Sequence, residues 1–255
     1  MILERSMNPG WLSNSYLVGD ESGGTGVIID AGGPVAPLIE TADVERLTVT
    51  HLLITHSHGD HIDEAGVIIE RFRPRVLAHE LEAARMSGVT GHIGDGDVVT
   101  AGGLEIKALH TPGHSPGHLA FLIDDNCFTA DVLFKDTVGG TMNDSYESLR
   151  HSIMDVLMKL PPETRVLPGH TDPTTIGDEW EQNPFVRVWR GVDEPGDEAC
   201  TVAGRPATLL HFAGDYDGGH KGYVRWQDGS HDIVPGSRVE RSDPNPGAKG
   251  SRHDR

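Results

Sequence analysis

The sequence has few basic residues. It contains 21 lysines and arginines against 39 aspartates and glutamates, which gives a formal net charge of −18 with the histidines neutral. Nucleic-acid-binding proteins need a basic patch to neutralise phosphates, so this composition argues against a nucleic acid partner. The acidity is typical instead of a solvated surface, and we expect the partner to be a small-molecule substrate.

Cysteines and long apolar segments are also scarce. The chain has two cysteines, Cys127 and Cys200, too few to predict a disulfide framework. No apolar run approaches the roughly 20 residues that a membrane-spanning helix needs, and residues 1–6 lack the apolar segment of a signal peptide. We therefore expect a cytoplasmic protein without membrane association, and leave open that it forms an oligomer.

Metal-ligating side chains, by contrast, are concentrated in one short segment. Residues 55–61 read THSHGDH and directly follow an apolar run. A strand that ends in a tight loop brings its side chains to one point, and imidazole and carboxylate without thiolate are typical of zinc, iron or manganese sites. The ligand-type residues of this segment are His56, His58, Asp60 and His61.

Three further ligand-type residues follow the same pattern. His114 lies in the Gly- and Pro-rich segment TPGHSPGH, Asp131 follows the apolar run CFTA, and His170 ends the segment VLPGH. Each stands after an apolar run or in a turn, where glycine permits the backbone geometry and close approach that such loops need. The sequence therefore predicts a metal site at one rim of a sheet.

These motifs in this order resemble the metallo-β-lactamase superfamily. The early segment VIIDAGG, with Asp30, resembles another motif of that superfamily. The resemblance runs from about residue 14 to about residue 185. Within the superfamily the glyoxalase II (hydroxyacylglutathione hydrolase) group is most similar, through the segments FTADVLF, LPPETRVLPGH and EQNPF (residues 181–185).

The resemblance implies a fold and a set of metal ligands. The fold is a mixed α/β (α+β) sandwich with αββα layers, two mixed sheets with helices outside, and the intermixed strand and helix patterns agree with it. The cofactors implied are two divalent metal ions, zinc first, with iron or manganese as alternatives. The ligands of the first ion would be His56, His58 and His114, those of the second Asp60, His61 and His170, and Asp131 would bridge the two.

The same resemblance implies a function. We expect a hydrolase that uses a metal-bridged hydroxide to cleave a thioester or related acyl ester, with Asp60 and Asp131 also serving catalysis. A lactone is an alternative substrate. The other alternative is a persulfide dioxygenase, which resembles the same group but holds a single Fe(II) through two histidines and one aspartate, here His56, His114 and Asp131. The sequence does not separate these functions, because all seven ligand-type residues are present either way.

Some residues depart from the glyoxalase II pattern. Ala130 stands where a glycine is usual, His118 where serine is frequent, and residues 138–141 read VGGT where many relatives have an arginine. Loss of that arginine removes a rigid bidentate donor for carboxylates, which weakens the case for a glutathione conjugate. We expect Asp30 to orient His56, His58 or Asp60 rather than to bind metal.

The composition also predicts a division of the chain. Residues 1–190 carry the metal motifs and form the predicted catalytic domain. The acidic, Gly- and Pro-containing stretch near residue 193 predicts a linker over residues 191–204. Short apolar runs separated by turn residues, including Asp228-Gly229, predict a small β-rich module of the SH3 or Tudor kind over residues 205–241, or hairpins packed on the main domain. The polar tail 242–255 is predicted to be disordered.

Replacement of the predicted bridging ligand tests this interpretation. Asp131→Ala should abolish activity and lower the metal content, because one carboxylate would serve both ions, while the chain stays folded. Metal analysis and circular dichroism on the purified variant measure both effects. Full activity in Asp131→Ala would disprove the site.

Overall fold

The first half of the chain forms a six-stranded sheet. The computed structural model describes residues 1–142 and 144–241. The strands of the first sheet, in spatial order, are β1 (Ile2–Met7), β2 (Asn14–Gly19), β3 (Thr25–Ile29), β4 (Thr48–Leu53), β5 (Arg75–Ala78) and β6 (Gly91–His92). β1, β2 and β3 pair antiparallel, whereas β3 to β6 run parallel. The carboxyl end of β4, just before the histidine-rich segment, therefore lies at the same edge as the ends of β3 and β5.

A second six-stranded sheet follows. Its strands are β7 (Val98–Ala101), β8 (Leu104–His110), β9 (Leu119–Ile123), β10 (Asn126–Ala130), β13 (Arg165–Pro168) and β14 (Thr174–Thr175), in the spatial order β14-β13-β10-β9-β8-β7. A short hairpin, β11 (Leu133–Phe134) and β12 (Thr137–Val138), leaves the sheet after β10. β10 and β13 are parallel and the other neighbours are antiparallel, so β8, β10 and β13 all end at one edge.

The helices are short. They are α1 (Ala36–Val44), α2 (Gly59–Ile62), α3 (Ala65–Phe72), α4 (Glu80–Ala83), α5 (Tyr146–His151), α6 (Ile176–Gln182) and α7 (Pro184–Trp189). A π-helical turn (Ser152–Val156) and a 3-10 turn (Leu157–Lys159) continue from α5. Within residues 1–142 and 144–241, no helix is both long and apolar enough to cross a lipid bilayer.

Alternation along the strands creates the layers. In β3, Val27 and Ile29 face the second sheet, where they join a core with Phe121 and Phe128. Ile28 between them faces outward, where it packs in a cluster that includes residues of α1 and α3. Because strand side chains alternate in direction, one strand supplies both cores. A third cluster packs α5 and α7 on the outer face of the second sheet, and the αββα sandwich predicted from the sequence is confirmed.

A five-stranded antiparallel sheet lies at the C-terminal end. Its strands are β15 (Glu198–Val202), β16 (Arg205–Gly214), β17 (His220–Trp226), β18 (His231–Pro235) and β19 (Val239–Arg241), in the order β18-β17-β16-β15-β19, with a 3-10 turn (Gly236–Arg238) before β19. This sheet has a small core of its own. It also packs on the preceding part of the chain, because Leu210, Tyr223 and Ile233 belong to the cluster that contains α5 and α7.

One boundary predicted from the sequence is wrong. The predicted linker 191–204 contains β15, which pairs with β16 and β19 and is therefore part of the C-terminal sheet. Only Cys200 and Val202 of this strand are buried, and two inward residues are too few for the alternation to be recognised beside an acidic run. The wider division into a catalytic domain and a module stays a prediction, and the tail 242–255 lies outside the described residues.

A buried carboxylate links α6 to the β11–β12 hairpin. Glu179 accepts hydrogen bonds from the Asp136 N–H (3.0 Å), the Asn183 amide (2.8 Å) and the Thr174 hydroxyl (2.7 Å). Burial raises its pKa from 4.5 to about 7, more than these hydrogen bonds lower it. The folded protein therefore resists ionisation of a group that ionises readily in the unfolded chain.

The sign of this shift predicts a pH dependence. A raised carboxyl pKa favours the fold below pH 4.5, and this contribution is lost as the pH rises through 7. In denaturant titrations, the stability of Glu179→Gln relative to wild type should increase by about 3 kcal/mol between pH 4 and pH 8, at 1.36 kcal/mol for each pKa unit. Glu181→Gln, at an exposed position of the same helix, should show no such change. A constant difference for Glu179→Gln across this range would contradict the shift.

Candidate metal centre

The structure brings all seven predicted ligand residues to one edge of the sandwich. The first four follow β4, within the loop that leads into α2 and in α2 itself, and the others come from the loop after β8 and from the ends of β10 and β13. These strands end at neighbouring points, so residues up to 114 positions apart in sequence meet. The residues are His56, His58, Asp60, His61, His114, Asp131 and His170.

One cluster consists of three imidazoles. His58 Nδ1 lies 3.1 Å from His56 Nε2 and 2.9 Å from His114 Nε2. One ligand atom from each ring can reach a common point, since the three atoms all lie within 4.8 Å of one another. This is the set that the resemblance assigns to the first ion.

A second cluster mixes carboxylate and imidazole. Asp60 Oδ2 lies 3.4 Å from His170 Nε2 and 3.7 Å from His61 Nε2. His61 is fully buried, whereas the Asp60 side chain keeps 18% of its surface exposed. This is the set that the resemblance assigns to the second ion, and it has one face open to solvent.

Asp131 lies between the two clusters. Its Oδ2 is 3.6 Å from His114 Nε2 of the first cluster and 3.2 Å from His170 Nε2 of the second, and its Oδ1 is 3.2 Å from His61 Nε2. A carboxylate with one set on each side has the arrangement of a bridging ligand.

The imidazole rings are held by their outward nitrogens. His114 Nδ1 donates to the Gly140 carbonyl and His170 Nδ1 to the Trp11 carbonyl, each at 3.0 Å. A carbonyl can only accept, so each ring carries a proton on Nδ1 and directs its Nε2 to the centre. Such outer hydrogen bonds fix the tautomer and the orientation of metal-ligating histidines.

Asp30 organises two further histidines. Its Oδ2 accepts from His61 Nδ1 (2.9 Å) and from the Thr55 hydroxyl (2.7 Å), and its Oδ1 accepts from the Thr55 N–H (2.9 Å). The Thr55 oxygen in turn lies 3.1 Å from His56 Nδ1. Asp30 was expected to orient His56, His58 or Asp60, but its direct histidine partner is His61, and it reaches His56 only through Thr55. The reason is that α2 turns His61 back toward the end of β3.

Burial and charge set the protonation states. Burial raises the pKa of Asp131, but the His170 and His61 imidazoles lower it by more, so it lies well below its usual value. Burial lowers the pKa of His114 to about 4. Burial also lowers the pKa of His61, yet the Asp131 and Asp30 carboxylates hold it well above its usual value. Asp131 is thus ionised and His114 neutral at pH 7, the states in which they bind metal, and a metal ion on His61 would displace a proton.

The residues fit a metal site. His61 Nε2 and Asp131 Oδ1 are buried and lie 3.2 Å apart, but neither has a partner in hydrogen-bond geometry, and buried polar atoms without good partners are costly. A cation between them would satisfy both. Gly169 allows the approach, since a Cβ there would collide with Asp131 Oδ1. The donor set of imidazoles and carboxylates without thiolate suits zinc, iron or manganese.

Two further residues support the centre, and of these the sequence did not reveal Glu82. Glu82, on α4, accepts from the N–H (3.0 Å) and hydroxyl (2.5 Å) of Ser57 and from the Gly117 N–H (3.0 Å). It therefore ties the His56–His58 loop to the His114 loop. His118 is fully buried and its Nε2 accepts from the Asp131 N–H at 3.2 Å. Glu82 is one of many acidic residues, so the sequence did not single it out. His118 did stand out, because many relatives have serine there.

Comparison with known proteins now places the chain. A family model described as the metallo-beta-lactamase superfamily matches residues 8–170. The chain belongs to the metallo-β-lactamase superfamily.

The relatives of this superfamily member include enzymes and solved structures. A hydroxyacylglutathione hydrolase of Rhodopseudomonas palustris (strain BisB5) is 29% identical over 232 residues, covering 74% of this chain and 90% of that protein. The crystal structure of ETHE1 from Myxococcus xanthus matches with a TM-score of 0.65 and 30% identity, covering 76% of this chain and 92% of that one. TTHA1623 in a di-iron-bound form matches with a TM-score of 0.62 and 32% identity, covering 71% and 99%.

Membership of this superfamily agrees with a metal-binding enzyme. The fold binds metals, and its members are hydrolases or related enzymes. The family model ends at residue 170, so the C-terminal sheet, which begins at Glu198, lies beyond it.

Glu82 clamps together the two loops that carry His56, His58 and His114, so its removal should affect metal binding. Glu82→Ala should weaken metal binding about tenfold, because outer partners of metal ligands typically contribute that much. It should also lower the unfolding free energy by about 3 kcal/mol, because buried donors lose their acceptor. Chelator competition and denaturant titration measure the two effects. Glu80→Ala, exposed on the same helix, is the control, and equal metal affinity in both variants would disprove the clamp.

Proposed function

We propose that this superfamily member is a dinuclear metal-dependent hydrolase that cleaves a thioester or a related acyl ester. The observation that supports this most is the position of Asp131, whose carboxylate has ligand atoms of one cluster on one side and of the other cluster on the other. His114 Nε2 and His170 Nε2 lie 3.6 and 3.2 Å from the same oxygen. An arrangement for a single ion would not need His170 and Asp60.

Each of the two proposed ions would have its own set of ligands. His56, His58 and His114 would hold the first ion, Asp131 would bridge, and the second ion would be held by Asp60, His61 and His170. Two bound divalent ions, zinc in our proposal, would supply a water molecule of lowered pKa and would polarise an acyl carbonyl.

The chain itself contributes orientation and a proton acceptor. Hydrogen bonds from the outward nitrogens hold the rings, so little reorganisation is needed when substrate binds. Asp60 is the partly exposed carboxylate of the centre. Its Oδ2 faces His61 and His170, and we propose that its other oxygen accepts a proton from the attacking water.

The leaving group favours a thioester. A thiol has a pKa near 8.5, so a thiolate leaves without a strong acid beside it, and the clusters consist of imidazoles and carboxylates that would be committed to metal. The similarity to a hydroxyacylglutathione hydrolase supports the same substrate class. The segment VGGT at residues 138–141 lacks an arginine, so we assign no particular thiol, and a lactone remains an alternative acyl substrate.

A second candidate is a persulfide dioxygenase with a single iron ion. His114 Nε2 and His56 Nε2 lie 3.6 and 4.0 Å from Asp131 Oδ2. These three residues alone form a two-histidine, one-carboxylate set, which is typical of mononuclear iron oxygenases. The similarity to ETHE1 at 30% identity keeps this candidate beside the first.

Metal content and His170→Ala distinguish the two candidates. For the hydrolase we expect two ions per chain, no oxygen uptake with glutathione persulfide, and turnover in a panel of thioesters and lactones. His170→Ala should then retain about one ion and lose activity by more than about 100-fold, since even outer partners of ligands contribute about 10–100-fold. His151→Ala, with an exposed side chain, is the control.

The opposite result would support the dioxygenase. One iron ion per chain, oxygen uptake with the persulfide, and retention of that iron in His170→Ala would contradict the hydrolase. Turnover restricted to lactones would retain the dinuclear site but replace the substrate class.

A further inference from the structure

The C-terminal sheet reaches the metal centre through one turn. The β16–β17 connection carries Tyr216, whose ring stacks on the His170 imidazole with centroids 4.2 Å apart and planes 17° apart. Phe134, from β11, contacts both rings, at 5.1 Å from Tyr216 and 5.7 Å from His170. His170 is therefore held by the Trp11 carbonyl at one nitrogen, by Phe134 at an edge and by Tyr216 across a face.

A buried ion pair holds this turn in place. Lys221 is 6% exposed, and its Nζ lies 3.0 Å from Asp215 Oδ1. The same Asp215 oxygen accepts from the Tyr216 N–H (2.9 Å) and from the Thr137 hydroxyl of β12 (3.4 Å). Asp215 thus ties the turn to the β11–β12 hairpin.

The lysine also lies against the aromatic group. Lys221 Nζ is 5.0 Å from the Phe134 centroid and 5.1 Å from the Tyr216 centroid, within the range of cation–π attraction. A buried ion pair contributes little to stability by itself and is better explained where it specifies a conformation. Here the conformation that it specifies is that of the ring on His170.

We propose that Tyr216 is a positioning residue for His170, and that through it the C-terminal sheet sets the affinity of the second metal ion. Asp215 and Lys221 hold Tyr216 in place. This inference rests on the proposed ligand role of His170. It gives the C-terminal sheet, which lies beyond the matched family model, a place in the metal centre.

Zinc competition against a chelator tests the inference without any substrate. Tyr216→Ala should weaken the binding of one of the two zinc ions about tenfold, the size typical of outer partners of a ligand, and leave the other within about twofold. Tyr216→Phe keeps the stacked ring and should bind both ions within about twofold of wild type. Tyr216→Leu serves as a second ring-free variant if Tyr216→Ala does not fold.

Tyr223→Phe is the matched control. Tyr223 lies in the same sheet and makes a 2.7 Å hydrogen bond with Tyr146 of α5, but it does not contact the His170 ring as Tyr216 and Phe134 do. Its replacement should lower the melting temperature without changing either zinc affinity. If Tyr223→Phe weakens one ion as Tyr216→Ala does, or if both ring-free variants bind two ions like wild type, the positioning role is disproved.

These outcomes are separate from those of the proposed function. Two zinc ions in the wild type with selective loss in Tyr216→Ala support the positioning role even if no thioester is turned over. A wild type that binds one ion contradicts the dinuclear centre, and the inference falls with it.

Discussion

A buried carboxylate is the constraint around which this molecule is organised. Asp131 is nearly inaccessible, and a buried anion is costly unless cations or hydrogen-bond donors compensate it. His61 and His170 lie beside its oxygens, while His118 accepts from its backbone N–H. Gly169 and Gly139 let the chain approach where side chains would collide with Asp131. The centre is therefore prepared for positive charge before any ligand arrives.

The sandwich places the other proposed ligands around this carboxylate by means of short loops. β4, β8, β10 and β13 end at one edge, and the residues beyond them enter the centre within a few positions. Short loops alone would be mobile, and outer contacts restrain them. Glu82 joins two loops, Asp30 holds His61 and Thr55, and two carbonyls hold His114 and His170. Rigid support of this kind is what pre-organised sites require.

The C-terminal sheet also restrains the centre from outside the sandwich. It has a separate small core, yet Leu210, Tyr223 and Ile233 pack with α5 and α7. Thr141 directly follows Gly140, whose carbonyl holds His114. Its hydroxyl donates a hydrogen bond of 2.6 Å to Asp232 of β18. The segment that holds His114 therefore contacts this sheet, and the sheet's own β16–β17 turn contacts His170. The attachment of the sheet and the geometry of the centre are thus coupled.

From the sequence by itself, the resemblance to the superfamily implied the αββα sandwich, and the local strand and helix patterns agreed with it. The sequence also determined the group of candidate ligands, because ligand-type side chains directly follow apolar runs. It misplaced the linker, since β15 buries only two residues and shows no clear alternation. It could not reveal Asp30 as the partner of His61, Glu82 as a clamp, or Tyr216 on His170. Those contacts join residues 25 to 46 positions apart. Only the packing of the sheets decides them, because no local periodicity records which distant side chains will meet.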